Sequence, residues 1–249
     1  MIKEERLQLI IEHVRKERKV LLSDLSTLLG VSEDTVRRDI KELSDQGLLK
    51  AVRGGAISRS PIPRHFRERE HYDVSHKGII AEKALKLIRN GQVVLFDSGT
   101  SALAIATLLP RDLQITVITN SFPVATVLED HPCIEVIFLG GRLNKTSFST
   151  TGFEVIQTIR GIRPDLCFLG ICSIDLISGV TGINYEDCQV KKAMVETSKL
   201  IVALATVEKL GTTEPYYITS ISDIDIIVTD IDPNDESLKA YKEAGINLE

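Results

Sequence analysis

The chain has 249 residues, 43% of them apolar and 26% charged, with a formal net charge of −5. That length predicts two domains, and the composition excludes disorder, collagen and coiled coil. No apolar run reaches the ~18 residues that span a bilayer, and the charged start Lys3-Glu4-Glu5-Arg6 lacks a signal-peptide core, so a cytoplasmic protein is expected.

The charge is unevenly spread. Residues 1–69 carry 15 Lys and Arg against 11 Asp and Glu, whereas the remainder carries 15 against 24. A basic head on an acidic body answers the objection that a net acidic chain raises to nucleic-acid binding. Leu7, Ile10, Ile11 and Val14 repeat with the period of an amphipathic helix. A second helix is expected from Ser23, an N-cap, through Leu25, Leu28 and Leu29, with Gly30 as the turn. Ser32 caps a third helix that ends near Gly47. On it Val36, Ile40 and Leu43 share one face, and Arg37, Arg38 and Lys41 project from the other.

An apolar seam behind and cations in front suit a helix that packs on two others while entering a major groove. Arginine offers the paired donors that match guanine O6 and N7. Ser32 and Thr35, near the helix start, are placed to reach bases or phosphates. Asp34 favours the helix dipole more than a cytosine contact, and Asp39 is expected to pair with an arginine. Leu48–Val52 and Ala56–Ile57 flank Gly54-Gly55 as a hairpin, a wing with Arg53 at its tip for a phosphate. Residues 1–57 thus read as a winged helix-turn-helix.

Residues 58–76, with two prolines and many charges, read as a linker, in part helical from Arg64. Its His65, His71 and His76 match no metal-binding spacing. From residue 77 to 249, helical patterns alternate with short apolar strands: Gln92–Phe96, Ile115–Thr119, Ile134–Leu139, Leu166–Gly170, Leu200–Ala205 and Ile226–Thr229. That alternation predicts an α/β domain with a mainly parallel sheet covered on both faces, and ligands bind such sheets at the carboxyl ends of strands. Cys133, Cys167, Cys172 and Cys188 fall in apolar patterns without a C-x-x-C pair and are expected to be reduced core thiols.

The strand ends are polar. Asp97-Ser98-Gly99-Thr100-Ser101 opens a helix, and its free N–H groups and hydroxyls suit a phosphate. Asn120 follows the second strand, Gly141-Arg142 the third, Asp175 the fourth and Lys209 the fifth. Together they suggest a small, polyhydroxylated, anionic ligand.

Two sets of motifs resemble one family. Arg6-x3-Ile10-x3-Val14, seventeen residues, then Ser32-x2-Thr35-Val36-Arg37-Arg38-Asp39-Ile40 is similar to the signature of the DeoR family of bacterial regulators. F-D-S-G-T-S, V-I-T-N-S, F-L-G-G-R-L, T-G-F-E, C-F-L-G-x4-D and E-K-L-G resemble that family's sensor domain. The resemblance implies that the third helix lies in the major groove. It also implies a sensor related in fold to ribose-5-phosphate isomerase and glucosamine-6-phosphate deaminase, binding a phosphorylated sugar and needing no cofactor. Carried over, Asp97, Ser98, Gly99, Thr100 and Ser101 hold phosphate, and Asn120, Gly141, Arg142, Asp175, Lys192 and Lys209 line the pocket. The sequence departs from the family at Ser173, where members often have glycine, and at Thr206, in place of an aspartate.

The expected function is a repressor of a carbohydrate-use operon that binds operator DNA as a homodimer or homotetramer. The alternative is a sugar-phosphate isomerase or deaminase fused to a DNA-binding head. Turnover needs a positioned acid/base pair, and no such pair shows at a convincing spacing. A purely structural module explains neither the basic head nor the polar strand ends.

Overall fold

A computed structural model describes residues 2–17, 19–58 and 62–249. The head consists of α1 (Lys3–Glu17), β1 (Lys19–Leu21), α2 (Leu22–Leu29), α3 (Glu33–Asp45), β2 (Lys50–Val52) and β3 (Gly55–Ile57). Its core is Ile10, Val14, Leu25, Val36, Ile40, Leu43 and Leu49, the seam that the periodicity marks. Gly30, at φ 64°, ends α2 in a left-handed turn, and the Ser32 hydroxyl accepts the Thr35 N–H at 3.3 Å to cap α3. Asp39 is buried and takes both donors of Arg6, Nε at 2.6 Å and Nη2 at 3.1 Å, which clamps α1 to α3.

Two details of the head differ from expectation. Helix α2 begins at Leu22, so Ser23 lies inside it and caps nothing. The wing is a three-stranded sheet in the order β1-β3-β2, because Lys19–Leu21 pairs with β3. Three residues are too few to show a period, and only tertiary pairing defines them as a strand. Gly55 is required there, since a Cβ would overlap the Val20 carbonyl.

The expected linker is not free chain. Residues 59–61 lie outside the described residues, and after them come α4 (Phe66–His71) and α5 (Val74–Leu85), which begins before residue 77. Phe66 is buried and its N–H donates to Thr146 O at 2.8 Å, so α4 docks on the larger domain.

The larger domain runs on through β4 (Val93–Phe96), α6 (Thr100–Thr107), β5 (Ile115–Thr119), α7 (Phe122–Val127), β6 (Ile134–Phe138), β7 (Arg142–Asn144), β8 (Ser149–Thr151), α8 (Phe153–Arg160) and β9 (Leu166–Gly170). There follow β10 (Ser173–Asp175), β11 (Gly179–Gly182), α9 (Tyr185–Thr197), β12 (Ile201–Ala205), β13 (Tyr216–Thr219), β14 (Ile226–Thr229), α10 (Lys239–Glu243) and β15 (Asn247–Leu248). The main sheet has the order β15-β14-β12-β9-β4-β5-β6, with every neighbouring pair parallel. Six of its seven strands, all but β15, are those that the apolar runs predict. Alternate residues feed two cores: Leu95, Leu169 and Ala203 pack under α8 and α9, and Phe96, Phe168 and Leu204 under α5 and α6.

The strand order fixes where a crevice opens. From β4 the chain proceeds outward to β5 and β6, and from β9 it proceeds the other way to β12, β14 and β15. Between β4 and β9 the direction reverses, and the carboxyl ends of such a pair splay apart into a ligand crevice. The cysteines are less uniform than expected: Cys167 and Cys188 are buried, Cys172 is half-buried, and Cys133 is exposed in the turn before β6.

Candidate functional site

The head presents its cations on one side. Arg37, Arg38 and Lys41 are exposed on α3, opposite buried Val36, Ile40 and Leu43, and Arg53 is exposed at the wing's turn. Arg37, Lys41 and Arg53 line one groove of about 660 Å³ between α3 and the wing. Thr35 is half-buried on the first turn of α3, and its Oγ1 lies 3.0 Å from the Ser32 hydroxyl, so both are held by the helix cap and neither lines the groove. Asp34 takes a 2.6 Å bond from Arg37.

At the switch point a cavity of about 40 Å³ lies between the ends of β4 and β9. Ser98, Gly99, Thr100 and Ser101 form its floor, where the first turn of α6 leaves N–H groups without helical partners. Gly99 and Gly170 sit against each other, and a Cβ on Gly99 would be 3.6 Å from the Gly170 Cα. Four cations line the walls: Arg69, Lys77, Lys191 and Lys209. One carboxylate, Asp187, joins them, with Asp97 directly behind.

The ionic arrangement is specific. Asp97 is fully buried, accepts the Gly170 N–H at 2.9 Å and pairs with Lys191. Lys191 also donates to Gly170 O at 2.8 Å and lies 3.6 Å from Asp187, one turn earlier on α9. Burial opposes the Lys191 charge, but Asp187 and Asp97 outweigh it and hold the ammonium well above the usual lysine range. Burial pushes Asp187 up, and Lys191 offsets part of that. Burial pushes Lys209 down to about 8 and also lowers Lys77. The lining itself holds four cations and one carboxylate, with Asp97 behind Lys191 and with Asp73 and Glu208 acting on Lys77 and Lys209 from outside it.

The sequence-predicted residues separate into two groups. Ser98, Gly99, Thr100, Ser101 and Lys209 meet at this cavity, while Asp97 stands behind it, engaged by Lys191. The others lie apart. Asn120 is buried, bonded through Nδ2 to Thr150 O at 2.8 Å, and its Oδ1 has no partner among the described residues. Gly141 packs on α8, where a Cβ would lie 2.6 Å from Val155 Cγ2. Arg142 is exposed and paired with Glu186. Asp175 sits on β10 and accepts the Ile177 and Ser178 N–H groups at 3.0 and 2.8 Å in a turn. Lys192 points outward, 4.0 Å from Glu196. Ser173 bonds Thr181 within the small antiparallel sheet, and Thr206 lies 3.4 Å from Glu208.

Sequence reasoning missed Arg69, Lys77, Asp187 and Lys191. One signal was available: Lys191 falls on the apolar face of α9 with Cys188 and Met194, and a lysine there needs a buried partner.

Comparison with known proteins agrees with this two-part architecture. Residues 6–61 match the family model of the DeoR-like helix-turn-helix domain, and residues 73–231 match that of the DeoR C terminal sensor domain. The HTH-type transcriptional repressor GlcR of Bacillus subtilis is 34% identical over 100% of this chain and 96% of its own length. The glycerol-3-phosphate regulon repressor of Escherichia coli K12 is 29% identical over 96% of each. Among solved structures, ribose 5-phosphate isomerase A from Methanocaldococcus jannaschii gives a TM-score of 0.39 at 18% identity, over 54% of this chain and 53% of that one, a likeness too loose to bear on function. The sensor model alone spans more than half of the sequence and the GlcR match runs end to end, so the chain belongs to the DeoR family of transcriptional regulators.

Proposed function

We propose that this DNA-binding regulator represses a carbohydrate-use operon in the cytoplasm, and that a phosphorylated sugar sets its operator affinity from the cavity between β4 and β9. The excess of cations around the start of α6 carries this reading. A phosphoryl dianion balances that excess and accepts the N–H groups and hydroxyls of residues 98–101. A cavity of about 40 Å³ holds the volume of roughly three waters, enough for the phosphoryl head, so the sugar extends toward the rim. Asn120, Gly141, Arg142, Asp175 and Lys192 drop out of the proposed contact set because none of them lines this cavity.

In the head, Arg37, Arg38 and Lys41 would face bases and phosphates, with Ser32 and Thr35 at the start of α3 and Arg53 on the flanking backbone. One recognition helix reads only a few base pairs, so a homodimer or homotetramer on paired half-sites is the expected form. Turnover is disfavoured on chemical grounds. A general base must be available to substrate, whereas Asp97 and Asp187 are both engaged by Lys191.

Calorimetric titration with a panel of sugar phosphates and their unphosphorylated parents tests the effector. Only phosphorylated members are expected to bind. Affinity should rise as the phosphate loses its second proton near pH ~6. It should then fall as Lys209 loses its proton above about 8, becoming roughly tenfold weaker at pH 9 than at pH 7 by proton linkage. Binding that is indifferent to the phosphate, or absent across the panel, overturns the reading.

A further inference from the structure

Part of the cavity wall does not belong to the sheet at all. Ile62 and Arg69 line it, and both lie in the segment that connects the head to the sensor. That segment is held down at several points. Phe66 N–H donates to Thr146 O at 2.8 Å, Tyr72 Oη donates to Glu208 Oε2 at 2.7 Å, and Lys77 Nζ donates to Arg69 O at 2.5 Å and to Tyr72 O. Asp73, at φ 56°, makes the tight corner between α4 and α5. Glu208 immediately precedes Lys209, so the connector is fastened beside the cavity's own lysine.

Arg69 is the exceptional group. Its Nε and Nη2 are buried, and neither has a hydrogen-bond partner among the described residues. Lys77, Lys191 and Lys209 share the cavity with it, and Asp187, itself engaged by Lys191, is the one carboxylate on that lining. Buried N–H donors of a cation demand an acceptor, and the fork of a guanidinium matches two oxygens of one phosphoryl group. The residue 98–101 loop lines the same cavity as Arg69 and is the other donor set that wants the same anion.

We propose that Arg69 is a phosphate-binding residue contributed by the connector, so that a phosphomonoester dianion is clasped between the sensor loop at 98–101 and the segment that carries the DNA-binding head. This inference rests on the reading of the cavity as a phosphate site. It names the ligand's charge class, because a diester presents one charge fewer and one terminal oxygen fewer to the two donor sets. It also gives the ligand a direct hold on the connector. A ligand shifts an equilibrium only by binding one state better, and the state with α4 docked supplies Arg69 whereas an undocked one does not.

Amide hydrogen exchange on the full chain, with inorganic phosphate as the probe, tests this. In the wild type, saturating phosphate is expected to slow exchange about tenfold or more both in residues 98–103 and in residues 66–72. Arg69→Gln should bind phosphate about tenfold more weakly and, at saturation, protect 98–103 but leave 66–72 unchanged. Arg69→Lys, run beside it in case the Gln variant unsettles α4, keeps the charge but lacks the planar two-nitrogen fork, and is expected to bind phosphate with an affinity between those of the wild type and the Gln variant and with weaker protection of 66–72 than the wild type. Protection confined to 98–103 in the wild type, or an Arg69→Gln chain that responds as the wild type does, overturns the connector's role and leaves the phosphate site standing. Phosphate that protects neither segment at any concentration removes the site itself, and the inference with it.

Discussion

Combining Arg37→Ala with Arg38→Ala weakens operator binding by roughly 30-fold to 20,000-fold, because each two-pronged arginine contact to a base is worth about 1–3 kcal/mol. The head's melting temperature barely moves. Both side chains are exposed, and the Arg37–Asp34 pair is a solvent-screened surface pair, for which the usual contribution is about 0–1 kcal/mol. Ile40→Asp does the opposite. Ile40 is only 2% exposed at the centre of the head's core, and an unpaired carboxylate there costs far more than the lost methyls. Electrophoretic shift and thermal unfolding on the same three chains separate the two cases. If the arginine pair costs stability and spares DNA binding, α3 faces the other way.

Lys191→Met has the second large effect, and it falls on the sensor. Lys191 is the cation shared by Asp97 and Asp187. Removing one partner of a buried ion pair costs about 3–5 kcal/mol, because the charges left behind have neither water nor a counter-ion. Thermal unfolding at pH 7 should show the sensor melting far below the wild type. The sign of the pH dependence follows from Asp187, which burial already pushes up. A carboxyl whose folded pKa exceeds its unfolded value destabilises the fold at high pH, and that penalty fades as pH falls through the folded pKa. The gap between variant and wild type should therefore narrow as the pH is lowered from 7. A variant that melts with the wild type at pH 7 would mean that the triad does not hold the ends of β4 and β9 together.

The contrast between these two predictions shows what a sequence reveals. The facing of α3 is local: Val36, Ile40 and Leu43 recur with the helical period, so the exposed arginines follow from the same thirteen residues. The loop at 98–101 was equally legible, because a strand precedes it and a helix follows. The cation cluster was not. Arg69, Lys77, Lys191 and Lys209 come from four separate stretches of chain, and the fold alone gathers them. Lys192 illustrates the limit. It neighbours Lys191, yet successive helical residues diverge by about 100°, so one reaches Asp97 while the other reaches solvent beside Glu196. Asn120, Gly141 and Arg142 stood after the right strands. β5 and β6 lie on the far side of β4 from β9, however, and their loops serve the β7–β8 hairpin. Short strands such as β1 and β15 were invisible because pairing, not pattern, defines them.

The most direct test of the whole account is the operator affinity of the full chain, on the DNA upstream of its own gene, with and without a saturating sugar phosphate identified by the calorimetric panel. A coupling of about 1–3 kcal/mol between the two sites, the usual range, appears as a 5- to 150-fold change in operator affinity. That change should be absent when the same sugar is supplied unphosphorylated. An operator affinity that stays the same with the cavity saturated would contradict the claim that this cavity governs the DNA-binding head.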